Sequence, residues 1–266
     1  MGAILVFIFG LVIGSFLNAL LWRLHTGGSV LRGRSRCPKC KHTLGFLDLI
    51  PIFSFIFLKG KCRYCGKKIS WQYPLVELAT AILFVVAYTV SSFQFPVSSQ
   101  FSIFNFQFLN LLRMWFVVAM TVVIFVYDLK YSLILDKVIY PAAAVAFLAS
   151  PLIYGGAVAW QNVATTLAAA AAGGGFFLCQ YLFSKGKWIG GGDVKMGFLM
   201  GLILGVRGLL VALFFSYVLG ALFGLGLIAA HRKTMKSQIP FGTFLAVGTI
   251  IALFWVEPIL RWYFNH

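Results

Sequence analysis

The stretch Lys187-Trp188-Ile189-Gly190-Gly191-Gly192-Asp193-Val194-Lys195 places a carboxylate behind three glycines at the mouth of an apolar segment. An acid is costly to keep at such a place, which marks it as functional. The chain has six carboxylates, Asp48, Glu77, Asp128, Asp136, Asp193 and Glu257, and Asp128 also sits where an apolar run ends. Two carboxylates held close cannot both ionise readily, so such a pair shares one proton. The ionised member can take a proton from water while the protonated member polarises a scissile carbonyl. Asp128 and Asp193 are therefore expected to face each other as an acid/base pair for peptide hydrolysis. Gly190, Gly191 and Gly192 leave room for a substrate backbone, and Lys195 belongs to the same substrate-accommodating stretch. Two plainer readings stay open on these residues alone: Asp193 as a helix cap, and Asp128 as the partner of Lys130 or Lys195. Asp136 reads as an N-cap before a span starting near Val138. His25, His42, His231 and His266 are scattered and offer no competing nucleophilic set.

Beyond Asp193, Gly197, Gly201 and Gly205 recur every four residues, on the helix face that Asp193 itself occupies. A glycine stripe lets another backbone come close. The expected neighbour is the helix that carries Asp128.

Four of the five cysteines form two knuckles, Cys37-Pro-Lys-Cys40 and Cys62-Arg-Tyr-Cys65, separated by 21 residues. Four thiolates at such spacing can close a tetrahedral zinc site, and a site with four protein ligands is structural. Zinc would then fold a loop too small to build a core of its own. Asp48 and Glu77 are acids on the same side as this loop and are candidates for chemistry there. The alternatives are capping or an arginine pair for Asp48, and for Glu77 a helix N-terminal position favoured by the dipole.

The elements that must position these groups are membrane helices. With 61% hydrophobic and 11% charged residues, the chain has too little polar surface for a soluble globule. The net charge of +16 invites a nucleic-acid reading, but half of the 22 basic residues lie between Arg23 and Lys68 and the others mostly at the ends of apolar runs. Topology and contact with anionic lipid explain that pattern, and no nucleic-acid partner is expected. Apolar windows predict spans near 3–22, 74–91, 109–127, 138–154, 162–183, 194–207, 208–230 and 240–260. The connections 23–73, 128–137, 184–195 and 231–239 are basic, whereas 92–108 and 155–161 carry no basic residue. The positive-inside rule puts the basic connections, and with them both aspartates, in the cytoplasm and both termini outside. The phenylalanine-rich stretch 93–108 suits the outer headgroup layer. The Ala- and Gly-rich run Leu167–Gly175 suits close helix packing. No internal repeat stands out. The expected organisation is a first span over 1–22, a four-cysteine module over 23–73 and a membrane core over 74–266, all of it helical.

The chain resembles the bacterial type IV prepilin peptidases, the bifunctional leader peptidases and N-methyltransferases of pilus and type II secretion systems. The likeness runs through Gly14-Ser15-Phe16-Leu17-Asn18 with Arg23 following, both cysteine knuckles, Gly60-Lys61-Cys62-Arg63-Tyr64-Cys65-Gly66 and Ile69-Ser70. It continues through Tyr73-Pro74-Leu75-Val76-Glu77-Leu78, Asp128-Leu129 and Gly190-Gly191-Gly192-Asp193-Val194-Lys195. It implies an eight-span aspartic peptidase of the bacterial inner membrane, with Asp128 and Asp193 catalytic. Its substrates would be prepilins and pseudopilins, cut at the cytoplasmic face after a glycine and usually before phenylalanine. The new N-terminus would then be methylated with S-adenosylmethionine, an activity associated with the cysteine loop, where Glu77 and Asp48 are the candidates for methyl transfer. One departure is Leu135 before Asp136, where the family often has proline. Outside this resemblance, another Gly-x-Gly-Asp membrane peptidase or a proton-coupled carrier using the two aspartates as a relay are the alternatives.

Overall fold

The computed structural model describes residues 1–29, 33–94, 106–153, 159–231 and 239–264. Two compact units divide the chain, Met1–Pro96 and Val97–His266. Most of the expected interfacial segment 93–108, residues 95–105, lies outside the described residues.

In the first unit, α1 (Gly2–Thr26) packs along α3 (Gln72–Gln94), and the short α2 (Phe53–Phe57) lies in the segment between them. Small residues set the α1–α3 spacing. A methyl group at Gly10 would stand 2.6 Å from Ala81 Cα, and one at Gly14 2.6 Å from Glu77 Cα. Ile4, Leu5, Ile8 and Val12 are exposed, which gives α1 the apolar outer surface that lipid requires. At its C-terminal end Gly27 takes a left-handed conformation, φ 72°, that closes the helix.

The second unit holds α4 (Phe106–Tyr131), α5 (Asp136–Ile153), α6 (Ala159–Ser184), α7 (Gly191–Ala229) and α8 (Phe241–Phe264). Helix α7 runs 39 residues, which at ~1.5 Å per residue is about twice a bilayer's hydrocarbon thickness. Gly205 interrupts it at φ 65°, ψ −176°. The contacts with α6 show what the interruption does. Moving along α6 from Ala169 to Phe177, the partners in the first arm of α7 run backwards, from Gly201 to Gly197. From Gly173 to Gln180, the partners in the second arm run forwards, from Leu209 to Tyr217. The two arms are therefore antiparallel, and Gly205 folds α7 into a hairpin. This yields the two expected spans 194–207 and 208–230, of which the first is short, about 21 Å from Gly191 to Leu204.

Among the described residues, six helices, α1, α3, α4, α6, α7 and α8, are long and apolar enough to cross a membrane. The hairpin divides one of them, and the 18-residue α5 covers 138–153 of the expected span 138–154, whose last residue lies outside the described residues. Three buried hydroxyls on these helices bond within their own helix: Thr80, Thr121 and Thr249 each donate to the carbonyl four residues back, at 2.7, 2.8 and 2.7 Å.

The glycine stripe faces a different neighbour from the one expected. A methyl group at Gly197 would meet Gly173 O and the Phe177 ring, and one at Gly201 would meet Ala169 O and stand 2.5 Å from Ala170 Cα. The stripe thus seats α7 on the Ala- and Gly-rich run of α6, not on α4. Gly201→Ala is expected to wedge α6 and α7 apart and to destabilise the protein by about 1–3 kcal/mol, read from denaturant unfolding in detergent. Wild-type stability in that variant would contradict the close contact.

The cysteine segment contains a repeat that the sequence conceals. Cys37 N–H donates to His42 O, Lys41 N–H to Cys37 O and Leu44 N–H to Ser35 O, at 2.9, 2.8 and 2.8 Å. The same three bonds recur 25 residues later, from Cys62 to Lys67 O, Gly66 to Cys62 O and Ile69 to Gly60 O, at 2.9, 2.9 and 2.8 Å. An isolated β-bridge closes each copy, Arg36 with Thr43 and Lys61 with Lys68. Lys41 and Gly66 occupy equivalent left-handed positions, φ 59° and 65°.

Candidate active site and candidate metal centre

Asp128 lies in the last turn of α4 and is buried. Its Oδ2 accepts two hydrogen bonds from a single residue of α8, Thr243 N–H at 2.6 Å and Thr243 Oγ1 at 3.0 Å. Thr243 is the third residue of α8, so its amide is one of the N-terminal donors that a helix leaves without an internal acceptor. Asp193 is the third residue of α7 and is also buried. Its Oδ2 accepts Gly190 N–H at 3.0 Å, while its own N–H donates to Gly190 O at 3.1 Å. Asp193 therefore does cap its helix, in a reciprocal pair with Gly190. Each carboxylate thus sits at the positive end of a helix, where negative charge is favoured.

The two are close enough for the charge of Asp128 to act on Asp193. Ile134 forms the floor between them. A methyl group at Gly192 would stand 3.0 Å from Ile134 Cβ, and one at Gly242 would stand 2.7 Å from Ile134 Cδ1 and 2.9 Å from Asp128 Oδ2. The two helix starts can converge because both carry glycine where Ile134 packs. None of Gly190, Gly191 and Gly192 has positive φ, so their use is space and not backbone freedom. Gly191 has nothing within 4 Å of where a Cβ would be.

Lys195 is paired with Asp136 Oδ1, at 2.5 Å, and stands 5.9 Å over the Tyr140 ring. Asp136 opens α5 but directs its carboxylate to Lys195 instead of capping. Leu135 supplies the turn through its carbonyl, which accepts Val138 and Ile139 N–H at 3.0 and 3.1 Å, so no proline is needed there. Thr243, Gly242 and Ile134 were not singled out from sequence. The available signal was Ile239-Pro240-Phe241-Gly242-Thr243, a helix start with two small residues on the same side of the membrane as both aspartates. Tyr217, whose hydroxyl donates to Gln180 Oε1 at 3.2 Å, also feels the charge of Asp193.

In the first unit, the Sγ atoms of Cys37, Cys40, Cys62 and Cys65 all lie within 4.8 Å of one another. Zinc with four sulfurs at ~2.3 Å separates them by roughly 3.8 Å, so a small inward movement closes a tetrahedron, and the donor set fits that metal. Burial pushes the Cys37 thiol up, but hydrogen bonds from the Cys40 and Lys39 backbone and from neighbouring thiols bring it down to about 7. Burial raises the Cys62 thiol. Asp48 clamps the second knuckle to the intervening segment: its Oδ1 forms an ion pair with Arg63 Nε at 2.8 Å, and its Oδ2 accepts Tyr64 OH at 3.1 Å and Gly45 N–H at 3.0 Å. That bond to Asp48 raises the Tyr64 hydroxyl. The His42 and Tyr64 rings stack across the two knuckles with centroids 3.7 Å apart.

Glu77 is buried on α3, where its Oε2 accepts Ile52 N–H at 2.7 Å and it also bonds to Ser15 of α1. It ties the loop to both helices. Near it, Asn18 donates Nδ2–H to Tyr73 O at 3.0 Å, and its Oδ1 is buried with no partner among the described residues.

Comparison with known proteins matches both halves. A family model described as the bacterial peptidase A24 N-terminal domain covers residues 8–91, which include all four knuckle cysteines. Another, described as the type IV leader peptidase family, covers residues 115–225, which include Asp128 and Asp193. The chain is 35% identical to the prepilin leader peptidase/N-methyltransferase of Bacillus subtilis (strain 168), over 97% of this chain and 96% of that protein. It is 33% identical to the protein of that name from Aeromonas salmonicida (strain A449), over 98% and 93%. With the one from Legionella pneumophila it shares 26% identity, over 97% and 93%. No solved structure matches.

Proposed function

The chain belongs to the type IV leader peptidase family, and on that premise we propose that Asp128 and Asp193 cut the leader from prepilins and pseudopilins. The protein is a multi-pass membrane enzyme, a prepilin leader peptidase with N-methyltransferase activity. The observation that carries the site assignment is the convergence of two buried carboxylates, each at a helix start, with one glycine-lined side open at Gly191.

Ionised Asp128 removes a proton from water as the oxygen bonds to the scissile carbonyl carbon. Protonated Asp193 gives its proton to the carbonyl oxygen. Collapse of this intermediate breaks the C–N bond: Asp128 returns its proton to the leaving amine, and Asp193 recovers one from the carbon-bound hydroxyl. Gly191 leaves space for the extended substrate, and Lys195, held by Asp136, borders it. The basic connections orient this face towards the cytoplasm and both termini outwards.

Cys37, Cys40, Cys62 and Cys65 would hold zinc, which would join the two knuckles. S-adenosylmethionine supplies the methyl group. The first unit is the place for that second reaction. The unpartnered Asn18 Oδ1 fits an amine donor, from the cut chain or from the methyl donor, and Glu77 lies nearby for its positive charge. Asp48 is engaged with Arg63 and Tyr64 and holds the knuckle in shape.

The test is the purified protein in lipid with a synthetic peptide spanning a prepilin cleavage junction and methyl-labelled S-adenosylmethionine. The expected result is one cut and label on the new N-terminal amine. An intact peptide, or proton-linked flux in vesicles without cleavage, would overturn the reading.

A further inference from the structure

Thr243 behaves unlike three other buried threonines of the membrane helices. Thr80, Thr121 and Thr249 satisfy their hydroxyls on the carbonyl four residues back. For Thr243 that carbonyl belongs to Ile239, which precedes the helix. Its hydroxyl and its amide both turn to Asp128 instead, and both reach the same oxygen, Oδ2. Thr243 is itself only 5% exposed, so water does not compete for either bond.

Two consequences follow from putting both donors on one oxygen. The terminal torsion of an aspartate is broad and nearly free when nothing holds it, and here it is fixed. No described residue donates to Oδ1, so that oxygen is left for the reacting water, on a carboxylate that cannot rotate away. Charge is also assigned. Hydrogen bonds to a carboxylate favour its charged form, and Asp128 receives two from Thr243 where Asp193 receives one from Gly190. Gly242 is part of the device, because a methyl group there would stand 2.9 Å from Asp128 Oδ2 and block the approach of α8.

We propose that Thr243 is a positioning residue for leader cleavage: through its paired donors it aims Asp128 at the water and keeps the pair's negative charge there, leaving the shared proton on Asp193. The inference rests on Asp128 and Asp193 being the reacting pair, and its test is built to separate the two.

Purified wild type, Thr243→Val, Thr243→Ser and Asp128→Asn, each in lipid, are assayed for cleavage of a prepilin-junction peptide and, separately, for methylation of the already cut peptide. Valine keeps the shape of threonine but lacks the hydroxyl, so Thr243→Val is expected to lower kcat about 10- to 100-fold, as loss of a bond that orients a reacting group does, with KM unchanged. Thr243→Ser restores the hydroxyl and most of kcat. Methylation of the cut peptide by Thr243→Val stays at the wild-type level. Wild-type kcat in Thr243→Val overturns the proposal, as does an equal loss in Thr243→Val and Thr243→Ser or an effect confined to KM. Loss of methylation together with cleavage assigns Thr243 to folding and overturns it too. Cleavage by Asp128→Asn instead removes the reading of the aspartate pair itself.

Discussion

Asp128→Asn and Asp193→Asn, each alone, are expected to lower leader cleavage about ten-thousandfold or more, the loss seen when one member of a catalytic unit that acts as a whole is removed. Asparagine keeps the shape and the acceptor oxygen, so Thr243 in one case and Gly190 N–H in the other still find a partner, and both variants insert and fold. What each loses is proton traffic. An amide at 128 cannot take the proton of water, and one at 193 cannot give a proton to the carbonyl oxygen. Initial rates on a prepilin-junction peptide, with expression and melting temperature measured alongside, are the check. In the proposed mechanism both groups act in one step, so the double variant should be no slower than either single one.

Cys37→Ser and Cys62→Ser are expected to bring bound zinc to background and to reduce methylation far more than cleavage. Both cysteines are buried, at equivalent places in the two knuckles, and a four-sulfur site that loses one ligand loses the crosslink that folds the segment. The neighbouring anchors, Asp48 to Arg63 and Glu77 to Ile52, then hold a loop whose two halves are no longer joined. Metal content by elemental analysis and methylation of an already cut peptide read the two effects. Full methylation by a zinc-free variant would take the metal out of the second reaction.

Much of this was legible in the sequence because membranes impose simple rules. Apolar windows located the helices, and the stretch 194–207 forms the short arm of a hairpin because Gly205 permits a turn there. The two aspartates stood out because idle acids are costly at membrane edges. The reading erred where a helix face had to be assigned to a neighbour. Periodicity correctly put Gly197 and Gly201 on one face of α7, but it could not say which helix comes to that face, and the answer was α6. Asp128 is held by α8, through a threonine that looks ordinary in sequence. Asp136 lies 59 residues from Lys195, a separation at which no local rule applies. The duplicated knuckle escaped notice because Arg36–Leu44 and Lys61–Ile69 share little beyond their cysteines, while their repeat is written in backbone hydrogen bonds.

The most direct test of the aspartate pair is the intact mass of a prepilin's N-terminus after co-expression with the wild type, Asp128→Asn or Asp193→Asn. Wild type is expected to yield the leaderless chain carrying one added methyl group, and both variants the full-length precursor. A leaderless prepilin from either variant would contradict the account.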